Sequence, residues 1–155
     1  AMDVNQLDER YDGRQPDIID NSYTTVDFAN GVRAMLDLSM FADGAENQEE
    51  ICAVGSNARL ECLIPAGDII YSPRTGFRNA KTPERVHVGV DDAALEAGSH
   101  YGSTFYEHQK FLSAIVDNSS VEVSALDGLM AVAIGTAAEI SAREHRVVEM
   151  AELGF

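Results

Sequence analysis

The chain changes its apolar period once. Up to about residue 90, apolar side chains come in short β-branched runs broken by turn residues; from Thr104 they recur every three or four positions. Strands first and helices afterwards leave few architectures open. The order predicts an α+β domain: a mostly antiparallel, open-faced β-sheet with helices packed on one face.

The first strong strand signal is Tyr23-Thr24-Thr25-Val26-Asp27-Phe28, followed by Asn30-Gly31 and then Val32-Arg33-Ala34-Met35-Leu36-Asp37-Leu38. Asn-Gly between two such runs predicts a tight hairpin with both turn residues at positive φ. In that register Thr25 faces Leu36 and Tyr23 faces Leu38 on one side, while Val26 faces Met35 and Phe28 faces Arg33 on the other. Both sides then carry apolar residues, so both need cover. Ile51–Val54 and Leu60–Ile64 predict a second hairpin around Gly55-Ser56-Asn57. Asp68–Tyr71 and Val86–Val90 are shorter strand candidates. Helices are expected over about 103–117, with Thr104 and Glu107 as a capping box, and over about 124–150, opened by Ser124 and Asp127. Glu139 and Arg143 are spaced to pair on the second helix.

Residues 1–17 are polar and read as a lead-in segment, with Ala1-Met2 as the remnant of a removed tag; residues 18–155 read as the domain itself. A length of 155 residues suits one core, and 45% hydrophobic with 24% charged residues is a globular balance. The formal charge of -15, from 26 acidic and 11 basic side chains, repels phosphate backbones and anionic lipids. Nucleic-acid and membrane partners are therefore not expected. No apolar run is expected to approach the ~20 residues of a bilayer span, and a cytoplasmic location is expected. Cys52 and Cys62, the two cysteines, fit reduced thiols rather than a disulfide framework.

Motifs that would carry chemistry are few. No Gly-x-Gly-x-x-Gly or Walker-type run is present, and no Gly-x-Ser-x-Gly elbow. No His-x-x-x-His or His-Glu-x-x-His pair is present, so no metal ligand, cofactor-binding residue or catalytic residue is assigned. The densest polar cluster runs from His100 to His108 across a loop and a helix start. His100, Tyr101, Tyr106 and His108 are its candidate substrate-binding residues, because a helix N-terminus with hydroxyl and imidazole groups suits a hydroxylated or anionic ligand. The competing role for the cluster is to cap and edge-pack the helix. A loop from Pro73 to Arg85 gathers Arg74, Arg78, Lys81 and Arg85, about a third of the basic residues. It reads either as a solvated loop or as a contact for an acidic ligand.

Four stretches in order resemble the C-terminal domain of the Gfo/Idh/MocA oxidoreductases. They are Asp20–Ser39 with its Asn-Gly turn, Val54–Glu61, Gly102–Ile115, and Val123–Gly128 with the Ala-rich helix through Ala142. The resemblance implies a two-part parent protein. Its N-terminal Rossmann domain would bind NAD or NADP and be this domain's partner. The C-terminal sheet would shape the substrate site and form homo-oligomer contacts. The implied reaction is hydride transfer between the cofactor and a sugar, cyclitol or related alcohol, and this half alone is expected to be inactive. The family's Glu-Lys-Pro lysine has no counterpart: Lys81 lies in Ala-Lys-Thr-Pro and Lys110 in Gln-Lys-Phe. Its Asp-x-x-x-His pair is also missing, and Glu96-x-x-x-His100 keeps only the spacing. The alternative function is a standalone small-ligand-binding or dimerisation β-sheet domain without catalysis. NTF2-like domains of that kind open with helices, whereas this chain opens with strands.

Overall fold

A computed structural model describes residues 1–98 and 100–155. It contains seven strands, β1 (Met2–Val4), β2 (Ile19–Asp27), β3 (Arg33–Ser39), β4 (Glu49–Val54), β5 (Ala58–Ile64), β6 (Asp68–Pro73) and β7 (Glu84–His87). The helices are α1 (Asp92–Ala97), α2 (Ser103–Val116) and α3 (Ala125–Glu144), with 3-10 turns at His100–Gly102 and Met150–Leu153. All pairing between strands is antiparallel, so the architecture is α+β. The strands divide between two sheets, β1-β2-β3 and β4-β5-β6-β7. The chain forms two compact units: Ala1–Ala42 with Val123–Phe155, and Asp43–Glu122.

In the first unit the β2–β3 register differs by one residue from the sequence expectation. Thr25 pairs with Met35, Thr24 with Leu36 and Val26 with Ala34. The cause lies in the turn. Phe28 and Val32 close it, with the Phe28 N–H donating to the Val32 carbonyl at 2.9 Å, so the loop has three residues, Ala29-Asn30-Gly31. Only Gly31 takes a positive φ, +85°. Asn30 contributes its side chain instead, accepting from the Val32 N–H at 3.0 Å. A three-residue loop ending in a left-handed glycine is the common alternative to the two-residue turn.

The slip moves every β3 side chain to the other face relative to β2. Val26, Ala34, Leu36 and Leu38 now share one face with Met2, Ser22 and Thr24; Tyr23, Thr25 and Met35 share the other with Asn21, Asp27, Arg33 and Asp37. Apolar residues on both faces, the expectation from the two-residue turn, give way to a sheet with one largely apolar and one largely polar face. Along β2 the apolar-face residues are the covered ones, down to 2% exposure at Ser22, while Tyr23, Thr25 and Asp27 are exposed.

The N-terminal segment is also organised. β1 pairs with β2 through a bulge after Asp3. Asn5, buried, then closes a small loop by exchanging side-chain hydrogen bonds with the Glu9 backbone, 2.9 Å in one direction and 3.2 Å in the other. The Gln6 N–H donates to Asp20 at 2.6 Å, tying that loop to the start of β2.

α3 begins as the sequence indicates. The Ser124 Oγ accepts from the Asp127 N–H at 3.2 Å, and the Asp127 carboxylate accepts from the Ser124 N–H at 2.8 Å. This reciprocal capping box satisfies two backbone donors that would otherwise lack partners. The helix stops at Glu144, short of the expected 150, because His145 turns left-handed at φ 54°. Arg146 then bridges Glu144 at 2.7 Å and Glu152 at 2.8 Å. Arg143 lies 3.7 Å from Glu144 rather than pairing with Glu139. Ala133 and Ala137 are its buried residues, whereas Leu126 and Leu129 are exposed. α3 is 20 residues long, with a mean hydropathy of 1.3 over an 18-residue window, enough by length and composition to cross a membrane. This corrects the expectation that no apolar run approaches that length; Asp127 and Glu139 interrupt the run and hide it from a local reading.

The second unit carries the clearer sheet. Ile51 pairs with Cys62, Cys62 with Ile69, and Ile69 with Val86; Ala53, Leu60 and Tyr71 form the next apolar row. The opposite face is mixed: Glu50, Arg59, Glu61, Asp68, Arg85 and His87 lie among Val54, Leu63 and Ile70, with two ion-pair groups. Arg59 meets Glu61 at 2.9 Å, and Asp68 meets both Arg85 and His87, the latter at 3.1 Å. The apolar face is open, with Ile51 62% and Val86 58% exposed. Cys52 lies across from Glu61 and Cys62 across from Ile51, so alternation puts the two thiols on opposite faces. A disulfide between them is sterically excluded, since it needs Cβ atoms about 4 Å apart.

The capping box yields a pH-dependent prediction. The Ser124 hydroxyl, followed by the Ser124 N–H, holds the Asp127 carboxyl below the usual carboxylate range. A depressed folded value contributes stability above the unfolded pKa of about 3.9 and loses it as pH falls through the folded value. Ser124→Ala should therefore destabilise the chain by about 1 kcal/mol at neutral pH, with the difference from wild type shrinking in acid. Urea denaturation of both proteins at neutral and acidic pH checks this; a pH-independent difference contradicts it.

Candidate functional site

The polar cluster around residue 100 lies wholly in the second unit. The chain leaves β7 at His87, and the Val88 N–H donates to the Gly67 carbonyl at 2.7 Å. Asp91 caps α1, its side chain accepting from the Ala93 N–H at 2.8 Å. This helix was not read from the sequence, although Asp91-Asp92-Ala93-Ala94-Leu95-Glu96 carries an N-cap residue and helix formers. It places Glu96 on a helix that ends at Ala97, so Glu96 and His100 do not share one.

His100, Tyr101 and Gly102 then have φ values of 58°, 53° and 84°. Left-handed backbone costs a non-glycine residue roughly 1–2 kcal/mol, so this turn is held by its surroundings. The Ser103 Oγ donates to the His100 carbonyl at 2.7 Å, and Thr104 Oγ1 lies 3.1 Å from His100 Nδ1. Gly102 is the cap of α2, with no side chain completing it, so the Thr104–Glu107 capping box does not form. Thr104 starts one position inside the helix and turns to His100 instead. Gly102 is buried, and a Cβ there would lie 2.6 Å from Val90 Cγ1 and 3.5 Å from Ala94 Cβ. The close approach is to the Val90 side chain just ahead of α1, while Ala94 of α1 would be in ordinary contact.

The four candidate residues do not converge on one point. The Tyr101 hydroxyl donates to Gln48 Oε1 at 2.6 Å, across 53 residues of sequence. The Tyr106 oxygen accepts from the Asp91 N–H at 3.4 Å, and its ring meets Phe105 edge-on at 5.6 Å. His108 follows Tyr106 by two positions and so faces away from it; it shares a helix side with Thr104, four positions earlier. His100, bonded to Thr104, belongs to that side. Tyr106 belongs to the side that meets α1. Gln48 and Asp91 are partners that sequence reasoning missed, because nothing local links position 48 to position 101.

Among the described residues, three of the four groups keep free hydrogen-bonding capacity. With Nδ1 at Thr104, His100 has Nε2 open. Tyr101 donates its proton and retains an oxygen that can accept. Tyr106 accepts and retains a proton to donate. Each is a donor or acceptor of the kind a hydroxylated ligand takes, but they are not turned toward one point. One hollow of the first unit, about 650 Å³, is lined by Met2, Asp3, Ser141, His145, Arg146 and Val147 among others. Its strongest cation, Arg146, is already held by Glu144 and Glu152.

The family described as oxidoreductase family, C-terminal alpha/beta domain, matches residues 1–150. No curated protein matches the chain.

Replacing the buried glycine tests the local packing. Gly102→Ala should cost about 1–3 kcal/mol from left-handed strain and the clash with Val90. A lowered urea midpoint with an unchanged slope is the expected reading; an unshifted midpoint contradicts the close approach.

Proposed function

The chain belongs to the Gfo/Idh/MocA oxidoreductase family as its C-terminal alpha/beta domain, and from that membership we propose that it is the substrate-shaping and oligomerisation half of an NAD(P)-dependent enzyme. The reaction is hydride transfer between the cofactor and a sugar, cyclitol or related alcohol. The observation that carries the reading is the family match along nearly the whole chain. His100, Tyr101, Tyr106 and His108 are the proposed substrate contacts; open donor and acceptor sites on His100, Tyr101 and Tyr106 support the first three, in separate positions around the start of α2. The acidic surface and family membership fit a cytoplasmic enzyme.

The chain's own residues do not suit a dinucleotide. α1 opens on Asp91 and Asp92, and α3 on Asp127, so two of the three α-helix N-termini already carry carboxylates. A pyrophosphate would meet negative charge there, where a dinucleotide fold offers bare N–H groups. Cofactor binding is accordingly assigned to an N-terminal Rossmann domain of the parent protein, and this domain alone is expected to be inactive. Calorimetric titration with NAD(H) and NADP(H) tests the division of labour. No appreciable heat is expected, and a micromolar dissociation constant contradicts it.

The oligomerisation role rests on the open apolar sheet faces. Leaving such surface in water costs about 25 cal/mol per Å², and large exposed apolar patches mark interfaces. A second copy is the proposed cover, in closed two-fold symmetry. A charge of -15 on each copy opposes pairing, so association through the faces should strengthen as salt screens that repulsion. Light scattering after size exclusion at low and high salt checks this. A monomer at tens of micromolar in both conditions contradicts it.

A further inference from the structure

The pairing of positive charge in this chain is uneven. Arg10, Arg33, Arg59, Arg85, Lys110, Arg143 and Arg146 each meet a carboxylate. Among the described residues Arg14, Arg74, Arg78 and Lys81 do not. Three of these four lie in the loop between β6 and β7, in a chain with 26 acidic side chains. With carboxylates in such excess, cations left without one in a single loop are not accounted for by balance within the copy.

The loop is anchored at its base and open at its tip. The Arg74 N–H donates to the Asn57 carbonyl at 2.7 Å, and the Arg74 guanidinium donates to the Ser56 carbonyl at 3.4 Å. Asn79 donates to the Thr75 carbonyl, and the Lys81 ammonium to the Gly76 carbonyl at 2.8 Å. On the far side Arg85 and His87 bind Asp68. These bonds hold the stems of Arg74 and Lys81 while neutralising neither charge. At the tip, after Gly76 at φ +81°, the Phe77 side chain is fully exposed. Phe and Arg are both enriched at protein interfaces, and a loop held in shape loses little freedom on docking.

We propose that the β6–β7 loop is a docking arm that seats Phe77, flanked by Arg74, Arg78 and Lys81, on the acidic surface of a second copy of this chain. Charge complementarity selects the occupant. Each copy carries a surplus of 15 negative charges, while the arm is a local positive patch. A free phosphate would engage the cations and leave Phe77 in water, whereas a protein surface engages both. The arm goes beyond the sheet-face pairing proposed above, and its salt dependence has the opposite sign: screening weakens it.

The test uses the full chain, mixed as unlabelled and nitrogen-15-labelled copies and treated with a carbodiimide that couples amines to adjacent carboxylates without a spacer. Mass spectrometry should find Lys81 joined to acidic residues in peptides of mixed isotope. The double variant Phe77→Ser, Arg78→Glu should lose those products and weaken self-association about tenfold at low salt, converging on wild type at high salt. Ile51→Glu, on the apolar sheet face, should remove the salt-strengthened association and leave the mixed Lys81 products, so the two readings fail separately. Lys81 coupling confined to single copies, or an unchanged dissociation constant for the double variant at low salt, overturns the proposal.

Discussion

Cross-strand register decides what each face of these sheets can do. Side chains alternate along a strand, so a shift of one residue exchanges the faces of the whole strand. In the first unit Gly31 fixes the shift. By taking φ +85° alone, it lengthens the turn to three residues and brings Leu36 and Leu38 onto the side of Val26. In the second unit the turn at Gly55, closed by the Gly55 N–H on the Ala58 carbonyl, aligns Ile51 with Cys62 and, through β6, with Ile69 and Val86. The first sheet thereby acquires one largely apolar and one largely polar face, and the second gathers its ion pairs on the face opposite the Ile51 row, among Val54, Leu63 and Ile70. The rest follows from that: the apolar face of each sheet requires cover.

The helices do not meet that requirement, since among the described residues within neither unit does a helix pack closely against the sheet. The buried helical side chains are alanines, Ala94, Ala114, Ala133 and Ala137, which permit close approach but remove little apolar surface from water. Phe111, Leu112 and Ile115 on α2, and Leu126 and Leu129 on α3, stay exposed together with Ile51 and Val86. Apolar surface left open to this extent is what the proposed pairing with a second copy would cover. The acidic surface opposes indiscriminate association and favours partners that either screen it or answer it with positive charge.

Much of this was legible in the sequence where the signal is local. The α+β order, the antiparallel hairpins, the Gly55 turn and the Ser124–Asp127 capping box each depend on a few adjacent residues. The family resemblance rests on four such stretches and is met by the match over residues 1–150. What local pattern could not supply was turn length. Asn30-Gly31 suits both a two-residue and a three-residue turn, and only the hydrogen bond between Phe28 and Val32 separates them. The same limit applied around residue 100. The residues of the cluster were visible, but Thr104 looked like a cap and proved to be a partner of His100, and the Tyr101–Gln48 bond spans 53 positions. The end of α3 was misplaced because a left-handed His145, unlike a glycine, leaves no mark in the sequence.

Cys62 and Cys52 report on the two faces of the second sheet, and that makes the central claim directly measurable. Cys62 lies in the apolar row with Ile51 and Ile69, while Cys52 lies on the charged face with Glu61. The decisive measurement is the rate of alkylation of each thiol by a bulky charged reagent, followed by peptide mass spectrometry, as protein concentration is raised at high salt. If the apolar face is the one that seeks cover, Cys62 becomes progressively protected and Cys52 keeps its rate. Equal rates at every concentration, or protection of Cys52 instead, would contradict the assignment of faces and the account built on it.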